Sequence, residues 1–296
     1  MQTPTPGLPA FDYTRPASLS EASQLLAEQA GEARPFMGGT DIFVQMRDGV
    51  VRSRTLVDVK HLPGMRDILY DEGMGLTVGA AATMNDAARH PDVQTRYPLL
   101  AEAAHSVASY QVRNRATIGG NLCNASPCAD ASLATLVLEG RVIVYGPGGE
   151  REMAVGEFFV GPGETSLQAG EFMTAIRYPV PPVGAAGRYL KLGRSKAGDL
   201  AIVSVAVLGF PDEGVPSGYR FRIGLGSVAP TVVRAPQAEA VLMENPPGEE
   251  TFALAAERAM EAAAPIDDVR ASAAYRRAMV RNLALRGLRQ VGERIG

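Results

Sequence analysis

The sequence predicts a chain of mixed helix and strand folded into two domains. Three observations point there. A length of 296 residues at roughly 150 per domain allows about two domains, each able to enclose a core. Strand-like and helix-like segments intermingle as far as Tyr178. Beyond the proline-rich break Pro179-Val180-Pro181-Pro182, three strand-like runs come first and helical sequence follows. The break divides the chain into residues 1–180 and 183–296.

Ser18-Leu19-Ser20-Glu21 has the capping-box pattern, and Leu25 and Leu26 lie on the apolar face of the helix it starts. Residues 42–46 read as a helix, and 56–59 and 76–78 as short strands. Thr83, with Asp86 three residues on, starts another helix; residues 97–109, rich in Ala and Leu, form a further one. The stretch 111–130 is dense in Gly, Asn, Ser and Pro and reads as irregular backbone. An apolar helix follows at 131–138, then a strand at 141–145, a turn at Gly161-Pro162-Gly163 and a strand at 172–178. Past the break, strands are expected at 188–192, 200–210 and 219–228; Tyr219, Phe221, Ile223 and Leu225 alternate with polar or small residues. Helices cover 236–243, 249–263 and 273–291, the last with Tyr275, Met279, Leu283, Leu288 and Val291 near one face.

Composition removes several functions. Lys and Arg number 29 against 32 Asp and Glu, a net charge of −3 with the signs mixed. That excludes nucleic-acid binding through a broad basic field. No apolar run approaches the roughly 20 residues of a membrane span. The opening MQTPTPGLPAFDYTRP has neither the basic start nor the apolar stretch of a signal peptide, so a cytoplasmic location is expected. Cys123 and Cys128 are the only cysteines, too few for an iron–sulfur cluster on four thiolates. They are expected to be buried, reduced thiols. His61, His90 and His105 lack paired-ligand spacing, and no metal site is expected in this chain.

Two glycine-rich bends carry the chemical signal. Gly38-Gly39-Thr40 follows an apolar segment, and glycine lets the backbone turn with no Cβ in the way. Its amides then point at an anion, and Thr40 adds a hydroxyl. Thr117-Ile118-Gly119-Gly120-Asn121 offers the same ingredients plus a carboxamide. Two such bends facing each other enclose a pyrophosphate without Lys or Arg between them. On the residues alone, ordinary turns and a phosphate cradle stay equally open. There is no GxGxxG after a strand and no GxxxxGK[ST], so a Rossmann site or a P-loop is poorly supported.

The segments 34–41, RPFMGGTD, and 117–130, TIGGNLCNASPCAD, resemble the two FAD-binding signatures of the flavoprotein (medium) subunit of molybdenum hydroxylases, the xanthine dehydrogenase and carbon monoxide dehydrogenase type. Residues 158–165 (FFVGPGET), Tyr189-Leu190-Lys191, 194–199 (RSKAGD), 268–272 (DVRAS) and Tyr275-Arg276-Arg277 extend the similarity over nearly the whole chain. The resemblance implies an α+β fold. Its first domain is a two-lobed FAD-binding domain of the p-cresol methylhydroxylase type, with a small mixed lobe and a larger antiparallel one. The second is a CO dehydrogenase flavoprotein-type domain, a three-stranded antiparallel sheet packed on helices.

It also implies roles for individual residues. Pro35, Phe36, Met37, Gly38, Gly39, Thr40, Asp41 and Ile42 would wrap the FAD pyrophosphate. Thr117, Ile118, Gly119, Gly120 and Asn121 would supply the second phosphate bend and approach the flavin. Asp130 would accept hydrogen bonds from ribose or ribityl hydroxyls, a role compatible with capping the helix that follows. Met173 would touch the cofactor through its backbone, and Val107 would lie near the adenine side. Lys191 would sit near the flavin pyrimidine edge, where a cation favours the reduced anion. Arg113 and Arg115 would brace the second bend or face a partner. Cys128 stands where the family often has a small residue, and the cysteine-rich insertion of four-iron members is missing.

The implied function is electron transfer, with no catalytic residue acting on the organic substrate in this chain. A large molybdopterin subunit would oxidise that substrate with water as oxygen source. A small subunit with two [2Fe–2S] clusters would relay electrons to FAD here, and NAD, a quinone or oxygen would take them away. The assembly would be a dimer of heterotrimers. A stand-alone flavin oxidase, or a non-redox nucleotide-binding scaffold, are the alternatives.

Overall fold

The computed structural model describes residues 7–195 and 198–295. Lys196 and Ala197 of the 194–199 motif lie outside the described residues. Strands β1 (Asp12–Thr14), β2 (Ala33–Phe36) and β3 (Thr55–Asp58) form the smaller sheet, parallel throughout, with β3 in the centre. Helices α1 (Leu19–Glu28) and α2 (Ile42–Arg47) make its crossovers. Ser18 Oγ caps α1 by accepting from Glu21 N at 3.1 Å, while the Glu21 carboxylate reaches back one residue further than a capping box requires, to Ala17 N.

The larger sheet contains β4 (Ile68–Asp71), β5 (Gly75–Gly79), β6 (Arg141–Gly146) and β7 (Gly149–Ala154). The hairpin β8 (Phe159–Gly161) and β9 (Glu164–Thr165) precedes its fifth member, β10 (Phe172–Tyr178). The order is β4-β5-β10-β6-β7, antiparallel at every pairing. Helices α3 (Met84–Arg89), α4 (Pro91–Arg96), α5 (Pro98–Ser106), α6 (Tyr110–Arg113), α7 (Ile118–Cys123), α8 (Asp130–Val137) and α9 (Val155–Phe158) complete this part. Thr83 and Asp86 form the full capping box at α3.

The expectation of irregular backbone over 111–130 is corrected: α7 lies within the stretch, α6 covers its start and α8 begins at its end. Ser109 Oγ and Thr117 Oγ1 cap α6 and α7 by accepting from Val112 N at 3.3 Å and Gly120 N at 3.0 Å. Capping, with full burial of Ile118 and Leu122, outweighs the poor helix propensity of Gly and Asn.

In the C-terminal part β11 (Ala186–Leu192), β12 (Val203–Pro211) and β13 (Tyr219–Gly226) pair antiparallel. A fourth strand, β14 (Val233–Arg234), extends the three-stranded expectation; two residues are too few for a periodic signal. Helices α10 (Pro236–Glu244), α11 (Glu249–Glu261) and α12 (Ala273–Ile295) follow. Every residue from Val203 to Phe210 is buried, as expected of a strand covered on both faces. Val203, Val205 and Val207 pack with the helices that follow, whereas Ala206, Leu208 and Phe210 join the core of the first domain. That core therefore continues past the proline-rich break, which Tyr97 Oη ties down by donating to Pro179 O at 2.9 Å.

The inward face of α12 differs from expectation at its start. Tyr275 is exposed, and Arg276 turns inward to donate to Ile202 O, Ser227 O and Asp268 Oδ1 at 2.6, 3.1 and 2.6 Å. In the smaller sheet another buried charge is satisfied. Asp58 accepts from Tyr13 Oη and, at 2.6 Å, from Lys60 Nζ, which stands 4.8 Å from the Phe36 ring centre. Burial by itself raises the Asp58 carboxyl, but the hydrogen bonds from Lys60 and Tyr13 and the Lys60 charge outweigh it and hold the group below its ordinary value. A depressed folded-state value means the stabilisation is complete above about pH 4 and is lost as pH falls through the folded value. Asp58→Asn should cost about 2 kcal/mol at neutral pH and flatten the loss of stability on acidification, read by urea unfolding at a series of pH values.

Candidate functional site

The first bend is shaped from beneath by aromatic packing. Phe36 and Phe43, ring centres 5.3 Å apart, lie under Gly39, whose φ is +81°. A Cβ there would stand 2.9 Å from Phe36 and 3.0 Å from Phe43. Gly38 backs onto the chain just before the second bend, and a Cβ on it would stand 2.2 Å from Arg115 O. Both glycines are thus required, one by conformation and one by space. Among the described residues, the main-chain N–H groups from Met37 to Ile42 have no hydrogen-bond acceptor within the chain. Such a row of unpaired donors, half-buried except at Asp41, is available to an anion. Pro35 has no N–H to offer, and Phe36 is part of the floor beneath.

The second bend is built otherwise than expected. Its amides are already engaged: Ile118 N donates to Ala82 O, Gly119 N to Ala80 O, Gly120 N to Thr117 Oγ1 and Asn121 N to Thr117 O, all at 2.9–3.0 Å. It adds no second set of free main-chain donors. Gly119 serves close packing instead, since a Cβ on it would come within 2.6–2.8 Å of Ala80. Asn121 Oδ1 accepts from Ser132 N at 3.3 Å, which leaves its amide N–H groups to donate elsewhere. The two bends are tied together: Gln45 Nε2 donates to Asn124 Oδ1 at 3.0 Å, and Asn124 Nδ2 donates to Asp41 Oδ1 at 3.4 Å.

Asp130 opens α8 but does not cap it. Its carboxylate, almost fully buried, accepts from Tyr189 Oη and from Lys191 Nζ at 2.8 Å. Lys191 Nζ also donates to Ser106 O at 3.1 Å, next to Val107. Tyr189 and Lys191 are two apart on β11 and so share a face. Burial pushes the Asp130 carboxyl up, while the Lys191 charge and the bonds from Lys191 and Tyr189 pull it back. Burial and the Asp130 charge push the Tyr189 phenol far up, so it stays a donor. Each carboxylate oxygen has capacity for a second donor.

Arg113 is a brace. It donates from Nε to Asn85 Oδ1 at 3.1 Å and from Nη1 to Val107 O and Ala108 O at 2.9 and 3.0 Å, holding Ala108 at a φ of +41°. Arg115 is exposed. Met173 is buried beside an irregularity in the β10–β6 register, and the next residue's carbonyl, Thr174 O, accepts from Ala80 N at 2.9 Å. Cys123 and Cys128 are free and half-buried; loss of solvent pushes the Cys123 thiol up to about 12. Sequence reasoning missed Tyr189, which the two-residue strand period placed beside Lys191, and Ser132, whose buried Oγ has no partner among the described residues. Asn124 and Gln45 left no signal at all.

A family model described as "FAD binding domain in molybdopterin dehydrogenase" matches residues 9–181, and "CO dehydrogenase flavoprotein C-terminal domain" matches residues 188–291. The chain is 34% identical to the carbon monoxide dehydrogenase medium chain of Hydrogenophaga pseudoflava over 280 residues, 95% of this chain and 96% of that one. It is 32% identical to the xanthine dehydrogenase FAD-binding subunit of Escherichia coli O157:H7, covering 92% of each. The structure of carbon monoxide dehydrogenase from Hydrogenophaga pseudoflava superposes with a TM-score of 0.92 at 35% identity, covering 98% of this chain and 99% of that one.

Removing Asp130 strands a buried ammonium. Asp130→Ala is expected to lower unfolding free energy by about 3 kcal/mol. Asp130→Leu combined with Lys191→Met should recover most of that loss. Denaturant titration checks both, and a double variant no more stable than Asp130→Ala would contradict the assignment.

Proposed function

The chain belongs to the FAD-binding subunits of the molybdopterin dehydrogenases, and we propose that it holds FAD with its diphosphate in the Met37–Ile42 bend and serves as an electron-transfer port. The observation that carries the reading is the row of unpaired N–H groups over the Phe36–Phe43 floor, a bend whose course leaves no room for a Cβ on Gly38, against Arg115 O, or on Gly39, against the two rings. Six unpaired main-chain donors suit an anionic group.

Around that anchor, Thr117 and the amide N–H groups of Asn121 donate to the cofactor, and the half-buried Gly120 lets it approach the α7 backbone. Asp130 keeps acceptor capacity for hydroxyl groups while Tyr189 and Lys191 fix its rotamer. Lys191 holds a positive charge at the domain junction, where it favours added negative charge on a neighbouring ring system. Val107 and the main chain at Met173 complete the wall. Asp130 is the one acidic side chain of this set that is buried, and it is already ion-paired. The chain's contribution is therefore binding and electrostatic tuning rather than acid–base work on a substrate.

Bound there, FAD supplies reversible electron uptake. The proposed route brings electrons from [2Fe–2S] clusters on a small subunit, after oxidation of the substrate on a large molybdopterin subunit, and passes them to an external acceptor. The names of the relatives support an assembly of several subunits, since one is a medium chain and another an FAD-binding subunit.

Purified with flavin available, the chain should carry close to one FAD, released on unfolding and quantified by its absorbance. Gly39→Val should lower retention at least about tenfold and leave a folded protein by circular dichroism. A folded wild-type chain that takes up no flavin would refute the proposal.

A further inference from the structure

Helix α3 and the turn before β4 border an open cavity of about 460 Å³ on which the cofactor reading makes no demand. Its charged and polar walls are Arg66, Arg89, His90, Asp86, Asn85 and Asn114. The volume falls within the about 300–1,000 Å³ of small-molecule sites, but the lining is polar, so the matching ligand is polar too.

The charges of the wall are unequally engaged. Asp86 Oδ2 is committed to the start of α3, accepting from Thr83 N at 3.1 Å and Thr83 Oγ1 at 2.7 Å. The Arg89 guanidinium is propped 5.0 Å from the centre of the Tyr110 ring, and among the described residues its one hydrogen bond is a long one, from Nη1 to Tyr110 Oη at 3.4 Å. Arg66 forms no hydrogen bond or ion pair among the described residues. His90 Nδ1 is shut off from solvent without a hydrogen-bond partner; Asp92 stands 3.9 Å away and is shared with Arg96. The floor is fixed. Asn85 Nδ2 donates to Asn114 Oδ1 at 2.6 Å and to Tyr110 O at 3.1 Å, and its Oδ1 accepts from Arg113.

Two guanidinium groups with unused donors face one carboxylate, Asp86, whose Oδ2 is occupied by Thr83, so the cavity wall carries an excess of positive charge. We propose that it binds a small organic phosphate, with Arg66 and Arg89 on the phosphoryl oxygens. Paired N–H donors of guanidinium match the geometry of phosphate oxygens. The organic part occupies the rest of a space several times larger than the phosphoryl group needs. This site stands independently of the FAD assignment, because none of its wall residues belongs to the Met37–Ile42 bend.

Calorimetric titration of the full chain with ribose 5-phosphate and, separately, with inorganic phosphate tests the proposal. Saturable binding of ribose 5-phosphate is expected, tighter than that of inorganic phosphate and at least about tenfold weaker in Arg66→Ala/Arg89→Ala. Flavin content of the same samples reports the cofactor reading separately. Equal affinity for the two probes would mean an adventitious ion only and overturn the proposal. So would binding that survives the double substitution, which would locate the anion in the glycine bend, or no binding by a wild-type chain with a normal unfolding transition.

Discussion

The meeting of Asp130 and Lys191 fixes where the two halves of this protein join. A carboxylate at the start of α8 and an ammonium on β11 leave water together, and neither is tolerable there alone. The bond has direction as well as charge, because Tyr189 Oη donates to the other carboxylate oxygen and Ser106 O accepts a second hydrogen bond from Lys191 Nζ. Glu102 adds to the same seam by accepting from Tyr189 N at 2.8 Å and from Arg188. Strand β11 is thereby held against α5 and α8 in a single register. The wall of the proposed cofactor site is built across that seam, so its shape depends on residues about 60 and 85 positions apart in the chain.

The two glycine bends show how similar sequences reach different ends. Around Gly38 and Gly39 the backbone turns away from its neighbours and keeps its donors unpaired. Around Gly119 and Gly120 it is drawn into a short helix by the Thr117 cap; Gly119 serves close contact with Ala80 and Gly120 lies against Thr117 Oγ1. A Gly-Gly pair with Thr beside it does not distinguish the two cases. The difference lies in what each bend packs on: aromatic rings and an exposed rim in one, the edge of β5 and its following turn in the other.

Periodicity made much of the fold legible. The double-sided burial of β12 is visible as an apolar run interrupted only by Ser204, the α3 capping box as Thr83 and Asp86, and the last strand of the larger sheet as the run ending at Tyr178. Long-range pairing was not legible in the same way. Nothing local indicates that Arg276 turns into the core in place of Tyr275, because the acceptors at Ile202 and Ser227 come from distant segments. The identity of Lys191 as a candidate came from similarity, while Tyr189, the other donor to Asp130, follows only once β11 is known to bury that face. The parallel order of the smaller sheet and the two-residue β14 are likewise settled by tertiary contacts rather than by propensity.

Because Ala206, Leu208 and Phe210 belong to the first core while Val203, Val205 and Val207 belong to the second, one strand serves two interiors at once. The segments matched by the two family models are consequently poor modules for recombination. A hybrid gene joined at the prolines would set the α5 and α8 surfaces of one ancestor against a β12 face shaped by another. Both faces of that strand are therefore expected to travel as a set, and the pair to be inherited as one evolutionary unit.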